Sequence, residues 1–367
     1  MTALAGGGPV LIVGTGLIGT SIGLALREKS AEVWLTDSDP GAVKLAADMG
    51  AGTALPDHAG PALLAVLAVP PGAVAPTLAD AQARDLARFY TDVASVKRLP
   101  VEQAKATGCD MSSYVPGHPL AGREKHGPAA ARADLFLGRT WALCPEPGIT
   151  TSSATAAVTG LIEACGAVPV SVDPDTHDRW VALISHAPHV VAAALAAQLA
   201  APSVPPDALE LAGQGLRDTT RIAVGGTALW RQILTGNAVP VAEVLTAVAR
   251  ELTKAAQDLT EGSPGRPGAH KELTSLLDQG REGVARIPGK HGGPARAFAG
   301  VQVVISDRPG ELARLFGAAA AAGINIEDVG IEHSPGAPLG VAELSVRPEA
   351  AGPLITALAD AGWPVRR

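Results

Sequence analysis

The sequence predicts three folds in succession: an α/β domain wound on a parallel sheet, an all-helical domain, and a small α/β unit of order βαββαβ. Three observations predict this. Short apolar runs alternate with helical stretches from Val10 to about Asp173. The strand signal then vanishes from about Thr176 to Arg286. It returns after a stretch of chain breakers that ends near Phe298. A chain of 367 residues has room for two or three domains.

In the first region Val10–Val13, 32–36, 63–68 and 89–92 read as strands, with 17–27 and 41–49 as helices between them. Such alternation implies βαβ units and a parallel sheet. Pro116-Gly117-His118-Pro119 cannot continue a helix or a central strand and reads as a loop. Residues 140–143 and 168–172 are further strands around an Ala-rich helix. The second region holds helices at 188–201, 207–211, 229–235, 239–259 and 269–286, interrupted by a loop with short turns from Gly213 to Gly226. Pro288 to Pro294 is a breaker-rich linker. Beyond it come strand 301–305, helix 310–322, strands 325–332 and 340–346, helix 351–361 and a short strand at 363–366. The expected domains are therefore 1–175, 176–287 and 299–367, with 288–298 as linker.

Composition narrows the function. Apolar residues make up 47% of the chain and aromatics only 3%, so the cores must be built from Ala, Val, Leu and Ile. A formal net charge of -7 and the absence of a basic stripe argue against nucleic-acid binding. Cys109, Cys144 and Cys165 are odd in number and far apart, which suits neither a disulfide framework nor a zinc site. Met1 to Pro9 lacks a basic leader, and the apolar stretch near 187–201 is too short to span a bilayer. The expectation is a soluble, cytoplasmic protein with no metal and no membrane partner.

Gly14-x-Gly16-x-x-Gly19 follows an apolar strand and opens a helix, the fingerprint of a Rossmann-like dinucleotide site. The first glycine permits the tight turn, the second lets the backbone approach the pyrophosphate, and the third lets helix and strand pack closely. The helix N-terminus then offers unpaired N–H groups to phosphate. Leu17, Ile18 and Val69 flank the expected site. Asp37, at the end of the second strand, can accept both ribose hydroxyls and would repel a 2′-phosphate, so NAD is favoured over NADP. A helix-capping turn with an incidental Asp is the plainer alternative.

Four further segments carry candidate chemistry. Ser95, in Asp92 to Lys97, lies beyond the carboxyl end of a strand, where open α/β sheets bind ligands. His118 sits in a loop bounded by Gly and Pro. His186 and His189 begin the helical region, and Arg221 follows a glycine loop. Hydride transfer from an alcohol carbon needs a base for the hydroxyl proton, and imidazole suits neutral pH. An anionic substrate calls for an Arg fork. Each residue also has a structural reading: Ser95 could cap a turn, Lys97 could be a solvated charge, Arg221 could pair with Asp218, and Trp230 could be core.

Taken together, Gly14 to Ser21, Asp92 to Lys97, Gly117 to Gly127, Ser185 to Val190 and Gly213 to Trp230 resemble the prephenate dehydrogenase family of tyrosine biosynthesis, with a C-terminal ACT regulatory domain. The resemblance implies oxidative decarboxylation of prephenate to 4-hydroxyphenylpyruvate with NAD. Arogenate dehydrogenase, and more distantly a non-catalytic NAD and amino-acid sensor, are the competing readings. It also implies His118 as base, Ser95 as its hydrogen-bonding partner at the hydroxyl, and substrate contacts from Glu124, His189, Gln214 and Arg221. A homodimer is expected from the helical domain. Asp307, Pro309, Gly310, Asn325 and Ile326 fall on the ACT signature, where tyrosine is the natural feedback inhibitor. No segment long enough for a fused chorismate mutase precedes the glycine turn, so none is expected.

Overall fold

The structure is a computed structural model and describes residues 7–122, 127–261, 270–288, 298–333 and 338–366. It divides into two compact units, one up to Arg250 and one from Glu251 onward.

The first unit opens with β1 (Val10–Val13), α1 (Leu17–Glu28), β2 (Val33–Thr36), α2 (Pro40–Asp48), β3 (Thr53–Ala54), β4 (Ala62–Leu67), α3 (Val74–Ala83), β5 (Ala87–Asp92), α4 (Arg98–Ala106) and β6 (Tyr114–Val115). The six strands form one parallel sheet in the order β3-β2-β1-β4-β5-β6. The strand order reverses between β1 and β4, so a crevice opens at their carboxyl ends. Both faces of the sheet are covered, which explains the nearly unbroken apolar run of β4. Val10, Ile12, Leu64 and Val66 pack on one face with Ile22 and Leu26 of α1. Leu11, Ala65 and Leu67 pack on the other with Val74 and Leu78 of α3. Each such buried Leu or Val stabilises the fold by about 1.5–3 kcal/mol.

A smaller sheet follows, of β7 (Gly117–Pro119), β8 (Thr140–Leu143) and β9 (Val168–Ser171), in the order β7-β8-β9, with α5 (Ser152–Ala164) between β8 and β9. The expected loop at 116–119 is thus a strand over Gly117–Pro119, antiparallel to β8 with His118 opposite Ala142. Proline is tolerated because β7 lies at the sheet edge, where no neighbour needs its missing N–H.

The helical part comprises α6 (Pro174–Val181), α7 (Ala187–Leu199), α8 (Gln214–Thr220), α9 (Thr227–Gly236) and α10 (Ala238–Glu261). The expected helix 188–201 corresponds to α7, but α6 precedes it, where no helix is expected. A π-helical turn at Ala182–His186 joins α6 to α7, and one helical run extends over Pro174–Leu199. The wider turn absorbs the N–H and the space that Pro188 would deny an α-helix. This run is 26 residues long with hydropathy 1.5, so by length and composition alone it could cross a membrane, contrary to the reading from 187–201. It nonetheless carries buried His177, Asp178, His186 and His189. The expected loop from Gly213 to Gly226 contains α8 and a 3₁₀ turn at Arg221–Val224.

The second unit holds the end of α10, α11 (Lys271–Ala285), β10 (Ala299–Ser306), α12 (Glu311–Ala321), β11 (Asp328–His333), β12 (Leu339–Val346), α13 (Pro348–Asp360) and β13 (Val365–Arg366). Its sheet is antiparallel, ordered β11-β12-β10-β13. Burial alternates along β10 and β12, which bury Val301, Val303, Ala342 and Leu344 against Leu315, Leu354 and Leu358. Of the expected linker 288–298, residues 289–297 lie outside the described part of the chain.

Candidate functional site: a glycine cradle and a buried histidine cluster

The glycine turn leaves β1 and enters α1 as its spacing predicts. Gly14 has φ +102°, a left-handed value that favours glycine, and a Cβ there would collide with the Ala68 carbonyl and touch Val69. At Gly19 a Cβ would collide with the Gly14 carbonyl, so this glycine permits the close approach of α1. Around Gly16 there is open space, and no side chain caps the helix end. Leu17 is buried and Ile18 half-buried against the core. Asp37 Oδ2 accepts hydrogen bonds from Thr15 N at 2.5 Å and Thr15 Oγ1 at 3.1 Å, while Oδ1 accepts from Asp39 N at 3.0 Å. Burial pushes the Asp37 carboxyl up, but the hydrogen bonds from Asp39, Thr15 and Ser38 outweigh it and hold the pKa below its ordinary value. An open helix terminus beside an ionised carboxylate fits a dinucleotide with a free 2′-hydroxyl.

Beyond β5 the chain makes a buried polar knot. Lys97, fully buried, forms an ion pair with Asp92 and donates to the Gly117 carbonyl at 2.5 Å. Asp92 also accepts from Tyr114 Oη at 2.6 Å, Ala94 N at 2.8 Å and Gly117 N at 3.4 Å. Burial, and then the Asp92 charge, drive the Tyr114 phenol well above its ordinary value, so it remains a donor. A Cβ at Gly117 would press on the Asp92 carbonyl at 2.9 Å, so glycine lets β7 approach β5. The knot ties His118 to the carboxyl edge of the sheet that carries the glycine turn.

His118 Nδ1 lies 2.9 Å from His177 Nε2, and His177 Nδ1 lies 2.8 Å from Asp178 Oδ1. All three residues are buried. Asp178 also receives the amides of Lys97 at 2.9 Å and Arg98 at 3.0 Å, the N-terminal end of α4. Asp173 caps α6 by accepting from Thr176 N at 2.9 Å, which fixes the register of His177 and Asp178. Asn237 Nδ2, at the corner between α9 and α10, donates to the Asp178 carbonyl at 2.7 Å and meets His186 Nδ1 at 3.2 Å. Burial, reinforced by His177, Lys97 and His186, holds His118 well below the ordinary imidazole value. Burial likewise lowers His186 to about 4. His189 is lowered by burial and hydrogen-bonded to the Ile222 backbone.

The predicted residues distribute unevenly. Ser95 is half-buried just past β5, and the amides at the start of α4 go to Asp178, so Ser95 is not the cap of that helix. Lys97 is no solvated charge. His189 is buried and stacks on Trp230, which belongs to this layer and not to the main core. Arg221 is exposed and immediately precedes Ile222, whose backbone holds His189. Gln214 is exposed and donates to Asp218 at 2.9 Å. Glu124 lies outside the described residues. In the second unit Asp307 lines a cleft of about 90 Å³ with Ser306, Arg308 and Glu311; Pro309, Gly310, Asn325 and Ile326 do not. Among the described residues, no group of three or more His, Cys, Asp or Glu could hold a metal.

Sequence reasoning missed His177, Asp178 and Asn237. A usable signal was present: Asp173-Pro174 starts a helix, and His177, Asp178, Val181 and Ala182 then fall on one face. Two polar residues on an inward face must be partnered, and such pairs concentrate at working sites.

Comparison with known proteins agrees with this geometry. Residues 22–171 match the family described as prephenate dehydrogenase, nucleotide-binding domain, and residues 173–273 match prephenate dehydrogenase, dimerization domain. A probable prephenate dehydrogenase of Streptomyces niveus, NovF, is 40% identical over 361 residues, 96% of this chain and 98% of that protein. The crystal structure of prephenate dehydrogenase from A. aeolicus in complex with hydroxyphenyl propionate and NAD+ superposes with TM-score 0.66 at 26% identity, over 76% of this chain and 98% of that one. Arogenate dehydrogenase from Synechocystis gives TM-score 0.60 at 26% identity, over 75% and 99%. A glycine cradle that fits NAD, a buried histidine cluster at the same sheet edge, and matches that span both domains in order place this chain in the prephenate dehydrogenase family of NAD-dependent oxidoreductases.

Proposed function

We propose that this protein oxidises and decarboxylates prephenate to 4-hydroxyphenylpyruvate in aromatic amino-acid biosynthesis. The observation that carries the reading is His118: a buried imidazole held well below its ordinary pKa, tied through Gly117, Asp92 and Lys97 to the sheet edge bearing the dinucleotide turn. A base kept neutral can accept the ring-hydroxyl proton. NAD, held by Gly14, Gly16, Gly19 and Asp37 with Leu17, Ile18 and Val69 alongside, supplies the hydride acceptor. As the hydroxyl-bearing carbon gives up its hydride and His118 takes the proton, the ring carboxylate leaves as carbon dioxide and the ring becomes aromatic. Ser95 holds the hydroxyl toward His118. His189, fixed by Trp230 and Ile222, and Arg221 receive the rest of the substrate, with Arg221 facing a carboxylate. Gln214 and Glu124 border the pocket.

The test is NADH formation from prephenate and from arogenate in parallel. Strong preference for prephenate is expected. A strong preference for arogenate would assign the second substrate, whose amino group replaces the side-chain keto group. His118→Asn should lose about 10²–10⁴-fold in kcat.

The βαββαβ order and the sheet order β11-β12-β10-β13 support reading the second unit as a ferredoxin-like ACT domain. Its cleft at the β10–α12 turn is too small for a whole tyrosine, which suits a site completed by a second copy. Added tyrosine should slow NADH formation; an unchanged rate removes the feedback role. The exposed Trp180, Leu183, Ile184 and Leu195 support a homodimer closed through the helical domain.

A further inference from the structure

We infer that His177 and Asp178 act through His118 as a proton relay: they fix its tautomer before reaction and take up its positive charge afterwards. The inference rests on the reading of His118 as the base and adds two positioning residues to it.

The Asp178 carboxylate accepts the amide hydrogens of Lys97 and Arg98, so both oxygens already act as acceptors. The contact with His177 Nδ1 at 2.8 Å must then be donated by His177. With its proton on Nδ1, neutral His177 presents a lone pair at Nε2. The contact between that atom and His118 Nδ1 at 2.9 Å is satisfied only if His118 carries its proton on Nδ1. His118 Nε2 is left unprotonated, as a general base requires. The backbone of Asp178 is itself held by Asn237, so the chain of three side chains is braced at its outer end.

The charge balance favours transfer along the same line. His118 is faced by Lys97 and His186 as well as His177, with Asp92 engaged by Lys97. A proton gained at Nε2 places an imidazolium in a buried site whose hydrogen-bond partner, His177, is neutral. Its Nδ1–H bond can break as the His177 Nε2–H bond forms, and His118 returns to neutrality with its proton now on Nε2. The positive charge then rests on His177 against the Asp178 carboxylate. No electrons leave or enter the relay; the hydride departs separately from the substrate carbon. In a serine-protease triad, losing the residue that sets the histidine tautomer costs about 10⁴-fold in kcat.

The decisive measurement is the ring-nitrogen NMR spectrum of the full-length, unliganded protein at neutral pH, with His118 assigned from His118→Asn. The expected result is a proton on His118 Nδ1 and none on Nε2 in the parent, and also in His177→Gln, whose side-chain oxygen can still accept. In His177→Phe the proton should move wholly or partly to Nε2. In turnover, His177→Phe should lose about 10²-fold or more in kcat and His177→Gln about tenfold, both with KM within about twofold. A parent His118 protonated on Nε2, or a His177→Phe variant with parental kcat, overturns the relay. Should His177→Phe not fold, the parent tautomer and His177→Gln decide the matter. A parent protein inactive on prephenate would overturn the proposed substrate, while the NMR result would still judge the relay.

Discussion

His189 and Trp230 stack face to face, with ring centroids 3.5 Å apart and planes inclined by 11°. Gly225 makes room for the pair. A Cβ there would collide with the Trp230 indole nitrogen and lie 3.1 Å from His189 Cε1. The backbone at Gly225 is extended, with φ -60° and ψ 149°, so alanine would suffer no conformational strain. Gly225→Ala should therefore act through the stack alone. Such a pair contributes about 0.5–1.5 kcal/mol, so KM for prephenate should rise by up to about tenfold. Steady-state kinetics with tryptophan fluorescence checks this. An unchanged KM would separate His189 from substrate binding.

Lys97 and Asp92 form an ion pair shut off from solvent at the end of β5. Lys97→Met removes the cation but leaves Asp92 buried, with only neutral donors from Tyr114, Ala94 and Gly117. Breaking a buried pair in this way costs about 3–5 kcal/mol. Urea denaturation should show that loss, and the double variant Asp92→Asn/Lys97→Met should recover part of it. A single variant as stable as the parent would mean that the pair is not buried in solution.

Lys97 marks the boundary between what is local in the sequence and what is not. The glycine turn and the parallel strands were legible because they are local: a glycine is demanded by a φ or a close approach, and β4 is apolar because both its faces are covered. A solvated charge stays open as a reading of Lys97 because nothing within its own segment reveals that Gly117, twenty positions away, returns beside it. The same applies to β7, where Pro119 suggested a loop until β8 supplied an edge to pair with. His177 and Asp178 were hidden differently. No helix is expected over them, because the π turn that joins α6 to α7 ahead of Pro188 has no simple signature. The Asp173-Pro174 helix start is the one local signal that brings the two polar residues onto one inward face.

Asp37 gives a test of cofactor choice. Its carboxylate already holds Thr15 N and would take a ribose hydroxyl by a charge-assisted bond, worth about 1.5–3 kcal/mol. Asp37→Ser should raise KM for NAD by about 10–100-fold and raise the relative rate with NADP, since the repelling charge is gone. Initial rates with both cofactors decide it. Equal KM for NAD in parent and variant would remove Asp37 from the ribose site.

The pH response follows from the buried imidazoles. His118 is held well below its ordinary value, chiefly by burial, so it stays an unprotonated base under mildly acidic conditions. The acid limb of kcat/KM should therefore lie below about pH 6.5, the free-imidazole value. Stability should follow the same sign. As pH falls through about 6.5, unfolded imidazoles bind protons that the folded ones refuse, so the unfolded state gains and stability declines. For His186, lowered to about 4, the decline continues until the folded imidazole titrates as well. At about 1.4 kcal/mol per pH unit of displacement, His186 alone accounts for up to about 3 kcal/mol. Urea midpoints measured from neutral pH down to about pH 4.5 should fall steadily, and His186→Phe should flatten part of that slope. A rate profile whose acid limb lies above the free-imidazole value would show that His118 is not the buried neutral base.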